Sequence, residues 1–147
     1  MYQRILVPVD GSELSERAMD GSIELAAQLG ASITGYVAEP PAALPTLGEP
    51  QALIAQEAIE YDAITEGHAR EILERFAARA RARGVPFVGR HAQAPRVDRA
   101  IIAEAEAQGC DLIVMVTHGR GAFGEFLFGS QTKAVLSGSR LPLLVLH

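Results

Sequence analysis

The sequence has no tryptophan and a single cysteine, Cys110, so no disulfide can close within the chain. Cys110 sits just before an apolar stretch and reads as a small buried hydrophobe rather than a reactive thiol. Its solitude is compatible with a reducing, cytoplasmic setting. Positive charge is in deficit: 13 Lys and Arg against 18 Asp and Glu leave a net charge of −5, which argues against nucleic acid as a partner. No apolar run approaches the roughly 18 residues that span a bilayer. Met1-Tyr2-Gln3-Arg4 runs directly into a strand without a charged-then-apolar leader, so a soluble protein with no membrane partner is expected. Catalytic signatures are missing as well. There is no G-x-S-x-G elbow and no G-x-x-x-x-G-K-[ST] loop, which sets aside a serine hydrolase and a strong phosphoryl-transfer engine. His91 and His118 lack partners at metal-ligand spacing, so a transition-metal site is not expected.

What the chain does have is apolar material, 48% of its 147 residues, enough for the core of one domain over 1–147. Arg4 to Val9 is a short β-branched run, with Pro8 expected at the strand's end because it cannot donate to a ladder. Ser12 reads as a helix N-cap, with Glu13 and Glu16 in the first turn. Leu14, Ala18, Leu25 and Leu29 follow at helical spacing until Gly30. Ser32 to Ala38 makes a second strand. Four prolines between Glu39 and Pro50 mark an irregular loop. The helical stretch from about Gln51 to Arg83 would be near 50 Å long if unbroken, so a break is expected near Gly67. Ala69, Ile72, Leu73, Phe76 and Ala80 form its apolar face, and Arg79, Arg81 and Arg83 suit a solvated helix C-terminus. Val85 to Arg90 is a third, less apolar strand expected near an edge, followed by a loop over His91 to Pro95. Val97, Ile101 and Ala105 mark a helix closed by Gly109. Asp111 to Val116 is strand four, Gln131 to about Ser137 a helix, and Leu143 to Leu146 the last strand. Alternating strands and helices call for a parallel sheet with right-handed crossovers and helices on both faces.

In such sheets ligands bind beyond the C-terminal strand ends where the strand order reverses. Two strand ends carry small and polar residues. One is Val9-Asp10-Gly11-Ser12, where Asp10 can accept a hydrogen bond from an amine or a ribose hydroxyl, or simply serve the turn. The other is the glycine-bearing stretch Thr117 to Ser130 between a strand and a helix start. Gly119, Gly121, Gly124 and Gly129 there suit either a phosphate cradle or plain loop hinges. Ser130 can donate to a phosphate or cap the helix.

I-L-V-P-V-D-G-S at 5–12, D-L-I-V-M-V-T-H-G-R-G at 111–121, G-S at 129–130 and L-P-L-L-V-L at 141–146 together resemble the universal stress protein family over essentially the whole chain. The resemblance implies an open five-stranded parallel α/β sheet, Rossmann-like, of order 3-2-1-4-5. The ends of strands one and four then lie side by side and the two candidate loops form one site. The family's nucleotide binders carry G-x-x-G, nine residues, then G-[ST]. Gly119, nine intervening residues and Gly129-Ser130 fit the later elements, while Val116 stands at the first glycine's place, where it restricts the backbone and adds bulk. Carried over, the resemblance puts Asp10 and Val37 at an adenine, Pro8 and Val9 along its pocket, and Met115 and Thr117 near a ribose. Gly119, Arg120, Gly129, Ser130, Gln131 and Thr132 would surround the phosphates. The expected ligand is ATP or another adenine nucleotide (AMP or ADP), with Mg or Mn accompanying the phosphates. The expected role is a cytoplasmic stress-response sensor or regulator, at most a weak ATPase, since only Asp10 or His118 offers a base. A homodimer through Leu143–Leu146 is also implied, and an apolar edge strand agrees with it. The competing reading is a nucleotide-free homodimeric interaction module, which Val116 favours.

Overall fold

The computed structural model describes residues 1–117 and 128–147, with the side chains of 128 and 129 outside the description. Among the described residues, five strands and four helices alternate: β1 (Arg4–Pro8), α1 (Glu13–Leu29), β2 (Ser32–Glu39), α2 (Gln51–Ala82), β3 (Phe87–Gln93), α3 (Val97–Ala107), β4 (Leu112–Val116), α4 (Phe128–Gly138) and β5 (Leu143–Leu146). They form one parallel sheet of order β3-β2-β1-β4-β5, as the sequence leads one to expect. The chain winds outward from β1 to β3, returns to the other side of β1 with β4, and so reverses its order between β1 and β4.

Side-chain parity divides the core. Ile5, Val7, Ile33, Val37, Leu112, Val114 and Val116 face α1 and α2, whereas Leu6, Tyr36, Ile113 and Met115 face the α3 side with Ile101 and Val135. Strands buried on both faces read as continuous apolar runs, which is why β1, β2 and β4 show no alternation. Cys110 lies in the second cluster with its Sγ 3.9 Å from Thr34 Oγ1, and burial pushes its thiol pKa up, in keeping with an inert buried hydrophobe. Gly35 in β2 lies beneath the tilted Phe76–Phe87 ring pair, whose centroids are 4.8 Å apart; a Cβ there would come within 2.6 Å of Phe87.

Helix α1 begins and ends as its sequence directs. Ser12 Oγ accepts from the Ser15 amide, and Gly30 closes the helix at φ 67°, a left-handed conformation that glycine adopts without a Cβ penalty.

Three expectations change. Helix α2 is unbroken over 32 residues rather than interrupted near Gly67. Only its second half reaches the core, through Ala69, Ile72, Leu73, Phe76 and Ala80; the first half projects past the sheet with Ile59 and Ile64 exposed. Local ties hold the projection: Tyr61 donates its hydroxyl to the Pro40 carbonyl at 2.7 Å, and Gln93 donates to Asp62 and Thr65. Glycine in a helix interior costs only about 1 kcal/mol relative to alanine, too little to break a helix so tied.

Strand β3 runs on to Gln93, replacing the loop expected at His91, because its register with β2 continues to the Glu39–Gln93 pair. It starts later, at Phe87, since Pro86 has no amide to donate and the Val85 amide instead closes α2 on the Ala80 carbonyl.

Helix α4 starts earlier than the sequence pattern, so Gly129 and Ser130 belong to its first turn. The basic end of α2 also finds partners beyond solvent: Arg79 pairs with Glu16 and Asp20 of α1, and Arg83 with Glu24.

Candidate functional site

A cavity of about 450 Å³ opens beyond the C-terminal ends of β1, β2 and β4, at the reversal of strand order. This is the position where open α/β sheets take their ligands, and the volume lies within the range of small-molecule sites. Pro8, Val9 and Asp10 line it from β1, Ala38, Glu39 and Pro40 from β2, and Met115 and Val116 from β4. Leu14, Ser15 and Ala18 of α1 and Val97 and Ile101 of α3 supply two further walls, and Gln131 of α4 the last. The middle is apolar, and among the described residues the charged groups of the lining are Asp10 and Glu39, both acidic and both on the β1–β2 side.

Asp10 is held by a local network that its sequence spacing creates. A serine two residues on caps α1, and one five residues on lies a turn further, on the same side. The Asp10 Oδ1 atom accepts from the Ser15 hydroxyl at 2.7 Å and from the Ser12 amide at 2.9 Å, while the Asp10 amide donates to Ser15 Oγ at 2.7 Å. Burial pushes the Asp10 carboxyl up, but the hydrogen bonds from Ser12 and Ser15 outweigh it and hold its pKa below the ordinary 3.8. Ser15 itself is 5% exposed. One carboxylate oxygen is thereby tied down, and the ionised form is favoured at the mouth of an apolar cavity.

Across the cavity, on the β4 side, stands the first part of α4. Gln131 Oε1 and Thr132 Oγ1 are buried there with no hydrogen-bond partner among the described residues. Buried polar atoms in folded proteins are nearly always paired, and an orphan costs about 1–3 kcal/mol. The Thr132 hydroxyl is a donor left for an acceptor, and the Gln131 amide oxygen an acceptor left for a donor.

The residues expected at the site divide accordingly. The structure brings Pro8, Val9, Asp10, Met115 and Gln131 onto one cavity, with Thr132 buried beside Gln131. Val37 is placed differently: it is 1% exposed in the core cluster facing α1 and α2, and its neighbours Ala38 and Glu39 line the cavity in its stead. Thr117 donates its amide to the Leu146 carbonyl and sets its hydroxyl 3.3 Å from His147 Nδ1, at the β4–β5 edge rather than on the cavity wall. Ser130 is exposed in the first turn of α4, and Gly129 precedes it there. Gly119 and Arg120 lie outside the described residues, as does His118. Val116 sits 8% exposed opposite Leu146 of β5, facing the α1 side and forming part of the wall.

A model of the universal stress protein family matches residues 1–147. The chain belongs to that family. A universal stress protein of Methanocaldococcus jannaschii, MJ0531, is 28% identical over 148 residues, covering 99% of this chain and 82% of its own length. Among solved structures, a universal stress protein family member from Burkholderia pseudomallei superposes with a TM-score of 0.76 at 28% identity, over 99% of this chain and 96% of the other. A universal stress protein solved in complex with cAMP superposes with a TM-score of 0.68 at 25% identity, over 99% and 97% of the two chains.

Several lining residues, Glu39, Val97 and Ile101 among them, were not expected at the cavity from the sequence. Glu39 had the same signal as Asp10, an acid closing a strand, but the proline-rich run that follows drew it into the loop. Val97 and Ile101 were read only as a helix's buried face. The described residues contain no group of three or more His, Cys, Asp or Glu arranged for a metal ion, and no helix among them is long and apolar enough to cross a membrane.

Proposed function

We propose that this universal stress protein binds an adenine nucleotide (ATP, or AMP or ADP) in the cavity between β1 and β4 and acts as a cytoplasmic sensor or regulator rather than a fast enzyme. The carrying observation is a buried donor, the Thr132 hydroxyl, which among the described residues has no partner, at the start of α4 beside a cavity whose far side is acidic. A nucleotide matches that polarity. Its phosphates belong at the helix N-terminus with Gly119, Arg120, Gly129 and Ser130, and its donor-bearing base at Asp10. The apolar walls between them suit a purine ring. A related structure holding cAMP supports the same ligand class. Mg or Mn, if used, accompanies the phosphates. We place all residues in one domain. The half-buried outer strand β5, Leu143–Leu146, is proposed as the homodimer edge, where a second copy continues the sheet.

Titration calorimetry with ATP and AMP on protein stripped of ligand tests the reading. Micromolar binding supports it. Absence of binding at millimolar nucleotide sinks it in favour of the nucleotide-free interaction module, for which the observation is Val116 in the cavity wall where the family's binders carry glycine.

A further inference from the structure

The acid at the end of β2 has a place in the site that its strand position alone does not announce. Glu39 is the last residue of β2, its side chain is 18% exposed, and it lines the cavity beside the β1 terminus that carries Asp10. One of its oxygens, Oε1, is fixed 2.9 Å from Nδ1 of His68, which reaches over from α2. The neighbouring Pro40 is fixed too, its carbonyl accepting from Tyr61 of the same helix at 2.7 Å. The projecting half of α2 therefore holds the β2 terminus from outside. Among the described residues, the second oxygen of Glu39 has no hydrogen-bond partner, and the residue lies between this cavity and a neighbouring one that Asp62, Thr65 and His91 line on the α2 side.

We infer that Glu39, positioned by His68, is a specificity-determining acceptor of the nucleotide site that selects a base carrying an exocyclic amine over one carrying a carbonyl at the same position. The inference rests on the nucleotide reading of the cavity. The chemistry follows from direction. With phosphates at α4 on the β4 side, the base is the part of the ligand that reaches the β1–β2 side, where the charged lining groups among the described residues, Asp10 and Glu39, are hydrogen-bond acceptors. An amine satisfies a carboxylate held there, and a charge-assisted hydrogen bond in a partly desolvated place is stronger than a neutral one. A carbonyl in the same place sets oxygen against oxygen and leaves the carboxylate unpaired. Sites built to bond a polar group reject analogues that lack it far more strongly than apolar pockets reject a change of size. His68 touches no ligand in this scheme; it is a positioning residue.

Adenosine monophosphate and inosine monophosphate differ at that ring position while sharing ribose and phosphate, so the ratio of their affinities reads the base edge alone. Calorimetry on the unmodified chain is expected to give at least about a tenfold preference for adenosine monophosphate. In Glu39→Gln the amide turns its NH₂ toward the carbonyl, and the ratio is expected to fall about tenfold, inosine monophosphate gaining as adenosine monophosphate loses. If neither nucleotide binds the unmodified chain, the nucleotide reading fails and this inference with it. If both bind and Glu39→Gln leaves their ratio unchanged, the site stands and the role given to Glu39 is overturned. Should Glu39→Gln not fold, His68→Ala carries the test, since the His68 side chain is 52% exposed and outside the core. A reduced ratio with an unchanged melting temperature supports the positioning role, and an unchanged ratio refutes it.

Discussion

Replacing Ser15 with alanine probes the network that fixes Asp10. The variant removes the 2.7 Å hydrogen bond to Asp10 Oδ1 and deprives the Asp10 amide of its acceptor at the same distance. A hydrogen bond to an ionised group contributes about 1.5–3 kcal/mol. Asp10 is exposed on its solvent side, so screening brings the expected loss down to about 1–2 kcal/mol. For a chain of this size that corresponds to a melting temperature lower by about 2–8 °C. The pH dependence separates this account from a packing defect. The folded-state pKa of Asp10 is depressed, so its contribution to stability is present above the unfolded-state value near 3.8 and is lost as pH falls through the folded-state pKa. In Ser15→Ala that pKa rises. The stability gap between the two proteins should be widest at neutral pH and shrink at roughly pH 3, measured by urea unfolding at both. Carboxyl-carbon NMR of Asp10 should show its titration midpoint moving upward. An equal gap at both pH values, or an unmoved midpoint, refutes the claim that Ser15 acts by holding an ionised carboxylate.

Three further outcomes follow from single observations. Thr132→Val removes a buried hydroxyl that has no partner among the described residues, so thermal melts should show the ligand-free protein unchanged or more stable by about 1 kcal/mol, whereas nucleotide affinity should fall by about tenfold. Loss of stability with unchanged affinity would mean the hydroxyl serves the fold. Val116→Gly removes a side chain that is 8% exposed opposite Leu146 and loosens a strand, so unfolding should cost about 2–4 kcal/mol less. A gain of nucleotide binding in that variant, seen by calorimetry, would show that valine was the obstacle and support the nucleotide-free reading of the native chain. Gly35→Ala places a methyl within 2.6 Å of Phe87 and 2.9 Å of Phe76, and denaturant unfolding should report a loss of about 1–3 kcal/mol.

The strand-helix order was open to reading because each element carries its own boundary chemistry: Ser12 at a helix start, Gly30 at its end, Pro8 closing a strand. The lining of the candidate cavity was readable where small or polar residues sit at a strand terminus, as with Asp10, Pro8 and Met115. It was not readable where depth in the core rather than residue type decides whether a side chain reaches the cavity. Val37 and Ala38 are adjacent and similar in character, yet Val37 is 1% exposed in the core and Ala38 lines the cavity. The length of α2 escaped for a different reason. Domain size argues against a helix of nearly 50 Å, and the ties that permit one, Tyr61 to Pro40 and Gln93 to Asp62, join residues too far apart in sequence to be paired by inspection.

The projecting half of α2 has a mechanical consequence. Residues 51–68 extend roughly 27 Å beyond the anchored turns at about 1.5 Å per residue, so the helix is a lever whose short arm is gripped by Phe76 and Ile72 in the core. A tilt of about 5° at the fulcrum, too slight to disturb a single core contact by more than a fraction of an ångström, carries the far end through about 2 Å. The points at which the lever rests on the sheet, His68 on Glu39 and Tyr61 on Pro40, are also walls of the cavity or their immediate supports. Whatever shifts the β2 terminus by a few tenths of an ångström is therefore geared up at the exposed end of α2, where Leu53, Ile59 and Ile64 stand in solvent.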